Sequence, residues 1–168
     1  GVGYVGAYCK DKYEEEVSVR VFRTIKPYLE AIKDRPPDIA GFGSYDWNYN
    51  LTLKAINETK RADPACLTVF GGANVDAQPD SNKKFLKENL NVDFLVYGDG
   101  EFPFSNIVAA AIRCINDGSP FSTIKKDKIA GARVLDGDEL VMGDAIDPVM
   151  DLSEIPSPYL TGIFDEFL

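Results

Sequence analysis

Three short apolar runs in this chain end in turns built from glycine and small polar residues. They are Ile39-Ala40-Gly41-Phe42-Gly43-Ser44-Tyr45, Leu67-Thr68-Val69-Phe70-Gly71-Gly72 and Phe94-Leu95-Val96-Tyr97-Gly98-Asp99-Gly100-Glu101. Glycines at such places let a ligand approach the backbone closely. Tyr45 and Trp47 beside the first turn offer flat contact area with a polar tip. The chemistry on offer is therefore binding rather than bond making. The chain has no histidine at all, which removes Ser-His-Asp and Cys-His catalysis, imidazole metal ligands and an imidazole pH switch. Neither CxxC nor CxxxCxxC spacing occurs among Cys9, Cys66 and Cys114, so zinc and iron–sulfur ligation within the chain is not expected.

Each turn also has a plainer reading. Ser44 or Asp46 can cap the helix that follows. Gly71-Gly72 can be a simple turn, or a place where a ligand tail lies on bare backbone. Asp99 and Glu101 suit the positive end of a helix. Carboxylates at that helix start oppose a phosphate there, which weakens P-loop and flavin-phosphate readings. Gly1-Val2-Gly3-Tyr4-Val5-Gly6 fits GxGxxG, the dinucleotide fingerprint, but no strand precedes it and no acidic residue ends the next strand. Its glycines serve equally for close packing at a helix start.

These turns need elements to hold them. The chain of 168 residues is 45% hydrophobic and 27% charged, as expected for one α/β domain with a tail. A net charge of −9 disfavours nucleic acid and anionic membrane surfaces as partners. No apolar run approaches the roughly 20 residues of a membrane span, and the first residues lack the charged, apolar, small-residue pattern of a signal peptide, so neither is expected. The odd, scattered cysteines read as buried free thiols in a reducing compartment, which gives a cytoplasmic expectation.

Periodicity predicts a helix over 1–12, a strand over 17–22, a short helix from Pro27, a strand over 38–43 and a helix over 47–62. A strand over 66–70, a helix over 81–89, a strand over 92–97 and a helix opened by Pro103 follow, the last with Phe104, Ile107, Val108, Ala111 and Ile115 on one face and Asn116-Asp117-Gly118 as its stop. Strand and helix alternate as in βαβ units, so the sheet is expected to be mostly parallel and buried on both faces. Residues 130–135 and 139–142, joined through Asp136-Gly137, predict a β-hairpin. Beyond it, Asp151 and Glu154 suit one capped turn, and Pro156 and Pro158 an extended path. A doubly wound sheet normally opens on a strand, so a first strand is expected upstream of Gly1.

Taken together, Gly41-Phe42-Gly43-Ser44-Tyr45 with Trp47-Asn48, then Val69-Phe70-Gly71-Gly72, then Tyr97-Gly98-Asp99-Gly100-Glu101 resemble the cobalamin-binding domain of B12-dependent radical SAM enzymes. Residues 151–167 are similar to the segment that leads from that domain to the radical SAM barrel, and Gly1 to Tyr8 resemble its first helix. The resemblance covers nearly the whole chain. It implies a Rossmann-like (flavodoxin-like) doubly wound parallel sheet of the B12-binding type over 1–128, a hairpin extension over 129–146 and a linker over 147–168. It implies cobalamin as cofactor, with Gly43, Ser44, Tyr45, Trp47, Asn48, Gly71, Gly72, Tyr97, Gly98, Gly100 and Glu101 around it, and no catalytic or metal-ligating residue in this chain. The family motif Asp-x-His-x-x-Gly, whose histidine ligates cobalt, is absent, as in many radical SAM relatives. S-adenosylmethionine and a 4Fe-4S cluster are expected only in a downstream barrel of the same polypeptide, and the parent is expected to be a methyltransferase or a cyclase of the Mg-protoporphyrin monomethyl ester type. Two other readings stay open: a B12-like docking scaffold without cofactor, and an NAD(P)- or flavin-binding module.

Overall fold

Leu67, Val69, Phe94 and Val96 point to one side of their strands while Phe70 and Leu95 point to the other, and all are buried. Side chains of a strand alternate between faces, so this pattern builds a core on both sides of the sheet. The structure, a computed structural model, describes residues 1–147 and 151–167. Strands β1 (Ile39–Gly43), β2 (Leu67–Gly71) and β3 (Phe94–Val96) run parallel, and β4 (Ala132–Asp136) and β5 (Glu139–Met142) continue the sheet antiparallel, in the order β1-β2-β3-β4-β5. The fold is α/β with a mixed sheet, three of its five strands parallel and the last two antiparallel, consistent with the Rossmann-like, B12-binding type.

Helices α1 (Val2–Tyr13) and α5 (Glu101–Asp117) lie together on one face. Tyr8 packs on Phe102, and the Tyr13 hydroxyl donates to the Ser105 carbonyl at 2.7 Å. On the other face lie α2 (Ile25–Asp34), α3 (Tyr49–Ala62) and α4 (Pro79–Glu88), whose Ile56 and Leu86 meet Phe70 and Leu95. Gly118, at φ 68°, stops α5 as its position after Asn116-Asp117 predicts. Pro103 is the third residue of α5 rather than its first. Ile115 is more than half exposed, and Ala110 and Cys114 fill the core stripe in its place.

The strand expected over 17–22 is not formed. Val19 and Val21 do pack inward on Gly6 while Ser18 and Arg20 face out, so the extended, alternating character is present. Among the described residues no neighbouring strand offers these N–H and C=O groups a ladder, and alternation alone does not make a sheet strand. The hairpin turns on Gly137 and Asp138, between the paired Asp136 and Glu139. Gly137 has φ 59° at the first central position, as a type II′ turn requires. Its first strand pairs with β3, Leu95 opposite Arg133 and Val96 opposite Ala132, so the hairpin completes the sheet.

Residues 148–150 and 168 of the expected linker lie outside the described residues. Asp151 caps a single 3₁₀ turn, Leu152–Glu154, by accepting from the Ser153 N–H at 2.9 Å. The extended path expected from the prolines ends at Pro158, which is fully buried, and turns follow. Phe164 then sits where a Gly3 side chain would be, and the Lys10 ammonium donates to the Thr161 carbonyl at 3.0 Å. No helix among the described residues is long and apolar enough to cross a membrane.

Candidate functional site

Ser44, Gly72 and Gly98 follow the carboxyl ends of β1, β2 and β3, the edge at which parallel sheets bind ligands. Ser44 is wholly buried. Its N–H donates to the Gly71 carbonyl at 2.7 Å, and its hydroxyl accepts from the Asn74 amide at 3.1 Å. Gly72 has φ 103°, and a Cβ there would lie 2.7 Å from the Ser44 carbonyl oxygen. A Cβ on Gly71 would lie 3.3 Å from the Val96 carbonyl oxygen. The glycine pair therefore lets the ends of three strands close on one another. Gly98 differs: at φ 72° its Cβ position has nothing within 4 Å. It is the open point in the floor of the edge.

Asn48 precedes α3 but leaves the first-turn N–H groups of that helix without a side-chain cap. Its amide instead folds back, accepting from the Tyr45 N–H at 2.7 Å and donating to the Gly43 carbonyl at 3.1 Å. Neither Ser44 nor Asp46 takes the capping role open to them from sequence. The tightened turn projects Tyr45 and Trp47 outward as a parallel stack, centroids 4.7 Å apart and planes 5° from parallel. Trp47 is 82% exposed. An indole that large, stacked on one face and almost wholly in water, contributes little to folding and leaves flat apolar area open at this edge.

The N-terminus of α1 closes the same edge. Gly1 lies beside the Tyr45 hydroxyl, Val2 beside Gly43 and Val5 beside Gly100. Gly3 and Gly6 of the GxGxxG run face Phe164 and the pair Val19 and Val21. They serve close packing inside the protein and leave no bare backbone for a pyrophosphate. Gly100 is the residue before α5, and Glu101 lies in its first turn, where the helix dipole favours a carboxylate.

Tyr97 is held by a residue absent from the sequence reading. The buried Arg133 guanidinium lies 4.3 Å from the centre of its ring. Asn74 and Asn82 were equally invisible as site residues. Arg133 carried one local signal, a cation within the alternating strand Ala132-Arg133-Val134-Leu135. A broad surface concavity between α5 and residues 126–130 contains none of these groups. Among the described residues no three carboxylates or thiols stand close enough to hold a metal ion.

Residues 1–108 match the family model of the B12 binding domain. The chain belongs to the B12-binding domain family. This B12-binding domain is also 30% identical over 129 residues to a cobalamin-dependent radical SAM methyltransferase, TokK, of Streptomyces tokunonensis. It is 31% identical over 129 residues to a 2-(S-pantetheinyl)-carbapenam-3-carboxylate methyltransferase of Streptantibioticus cattleyicolor. Each alignment takes in 77% of this chain and 17% of the relative, so the B12-binding domain spans about a sixth of those proteins.

Proposed function

We propose that this B12-binding domain holds cobalamin at the carboxyl edge of its sheet, for a radical SAM methyltransferase barrel of the same polypeptide. The observation that carries this reading is the Tyr45–Trp47 stack, exposed at the same carboxyl edge of the sheet as the open Gly98. Its chemistry fits a corrin macrocycle with a thin nucleotide tail. Tyr45 and Trp47 present flat faces to the ring, and Gly98 leaves backbone free for close approach. Ser44 and Asn74 fix the two turns between them, while Tyr97, Gly100 and Glu101 form the far wall. When bound, cobalamin supplies a cobalt centre that carries a methyl group for transfer. With no histidine in the chain, this domain offers cobalt no imidazole, and its residues only bind, orient and enclose. The S-adenosylmethionine and 4Fe-4S chemistry belongs to the barrel. The names of both relatives favour a methyltransferase over a cyclase. Three buried, unpaired cysteines support a cytoplasmic setting.

The test is retention of hydroxocobalamin through desalting, read in the visible spectrum. The wild-type chain is expected to carry corrin absorbance in the protein fraction. Trp47→Ala is expected to weaken binding about tenfold or more (~1.4 kcal/mol) with no change in melting temperature, because the indole is exposed. Corrin found entirely in the small-molecule fraction overturns the reading.

A further inference from the structure

Arg133 is 6% exposed on β4, and its guanidinium touches three parts of the chain. It donates to the Asn82 side-chain carbonyl at the start of α4, donates to the Ala77 carbonyl at 3.0 Å, and lies 4.3 Å over Tyr97 just after β3. Among the described residues no carboxylate lies within 4.0 Å of it. A buried cation held only by neutral acceptors and a ring face is a costly way to fill space. A methionine would fill it more cheaply, so the gain lies in what a planar, five-donor fork can join.

The joined parts are walls of the proposed site. The loop 72–78 is tied at one end by Asn74 to Ser44. At its other end Asn82 donates to the Asp76 carbonyl at 3.2 Å and to its carboxylate at 3.3 Å, and that carboxylate accepts from the Gln78 N–H at 2.7 Å. Arg133 binds both Asn82 and Ala77, so it closes this second bracket and joins it to Tyr97. We propose that Arg133 is a positioning residue, pinning the loop 72–78 and the Tyr97 ring to each other so that the edge is shaped before any ligand arrives. The identity of that ligand rests on the cobalamin reading; the pinning is a property of the chain alone.

Amide hydrogen exchange read by mass spectrometry tests the pinning, and hydroxocobalamin affinity tests its consequence. In Arg133→Met, exchange over 73–78 is expected to rise at least tenfold while β1 and α5 are unchanged. Cobalamin affinity is expected to fall at least tenfold, since only the fraction of molecules with a formed edge can bind. Arg133→Lys is expected to reproduce most of both losses, because an ammonium cannot span two acceptors and a ring. Asn82→Asp, which keeps an acceptor for the guanidinium but sets a second carboxylate against Asp76 in place of the amide donor, is expected to lose part of both, and Asn82→Leu, which removes acceptor and donor alike, to lose both. This pair stands in should Arg133→Met fail to fold. Unchanged exchange over 73–78, exchange that rises evenly through the sheet, or unchanged affinity in a loosened loop each overturns the proposal. If the wild type binds no cobalamin yet Arg133→Met still frees 73–78 alone, the pinning stands and the cobalamin reading falls.

Discussion

Asp93 is 4% exposed at the opposite edge of the sheet from the site, and it gathers the most charge of any buried residue described. Its carboxylate meets the Lys60 ammonium at 2.5 Å and that of Lys125 at 2.6 Å, and accepts from the Thr68 N–H at 2.9 Å. It thereby joins the start of β3 to β2, to the last turn of α3 and to the 3₁₀ turn Phe121–Lys126. Burial pushes this carboxyl up, but the hydrogen bonds from Lys125, Lys60 and Thr68 outweigh it and hold it below the ordinary value of 3.8. A carboxyl depressed on folding stabilises fully above its unfolded value and loses that stabilisation as pH falls through its folded one. Asp93→Asn is expected to cost roughly 2–4 kcal/mol in urea unfolding at neutral pH, because it strands two lysines around a neutral amide. The gap between wild type and variant is expected to close as pH drops below about 4. A gap constant down to acid pH would show that the carboxylate charge contributes nothing.

Glycines at the site do two separate jobs, and the difference lies in how the elements meet. At Gly72 the positive φ and the Ser44 backbone both exclude a side chain, because the turns after β1 and β2 are hydrogen-bonded face to face. At Gly98 only the φ objects, and the space is empty. Gly72→Ala is therefore expected to cost roughly 3 kcal/mol or more, strain and overpacking together. Gly98→Ala is expected to cost about 1–2 kcal/mol and to act mainly on ligand binding. Paired urea titrations measure both, and equal costs would refute the packing account. The same step from local to paired structure governs the expected strand that did not form and the hairpin that did. Residues 17–22 have the alternation of a strand without a ladder. The hairpin turns on Gly137-Asp138, one residue later than the expected Asp136-Gly137, and its place in the sheet comes from pairing with β3. Periodicity says which face a residue turns to, and nothing about which strand lies alongside.

Across the whole molecule, α1 is gripped from two directions. Val2 and Val5 lean on the turns of the site, and Gly3 and Gly6 receive Phe164, Val19, Val21 and Ile163 from elsewhere in the chain. Pro158, Ile163 and Phe164 are thus part of the packed body, although Pro156 and Pro158 read as an extended path. The cysteines report on that body as a unit, since all three are free and buried. Burial pushes the Cys9 and Cys66 thiols up to about 12, against the weaker pull of neighbouring lysines. A thiol that forms little thiolate and lies inside reacts slowly. Ellman's reagent is expected to label Cys9 and Cys66 on the order of a hundredfold more slowly in the native chain than in guanidinium, limited by opening. Fast labelling of either in native buffer would mean that α1 or the start of β2 is far looser than its packing implies.

The order of elements apart from the strand expected over 17–22, the three glycine-bearing turns at one edge, the buried thiols and the family were all legible in the residues. Each rests on a local regularity: a period of two or near 3.6, a turn residue, or a spacing short enough to be read along the chain. The denial of the dinucleotide fingerprint, the reasons behind Gly71 and Gly72, the partner of the hairpin and the roles of Arg133 and Asp93 came only with the tertiary structure. Arg133 meets Ala77 across 56 positions and Thr68 meets Asp93 across 25. Such contacts depend on which surfaces the packed sheet brings together, and no local pattern of residues encodes that meeting.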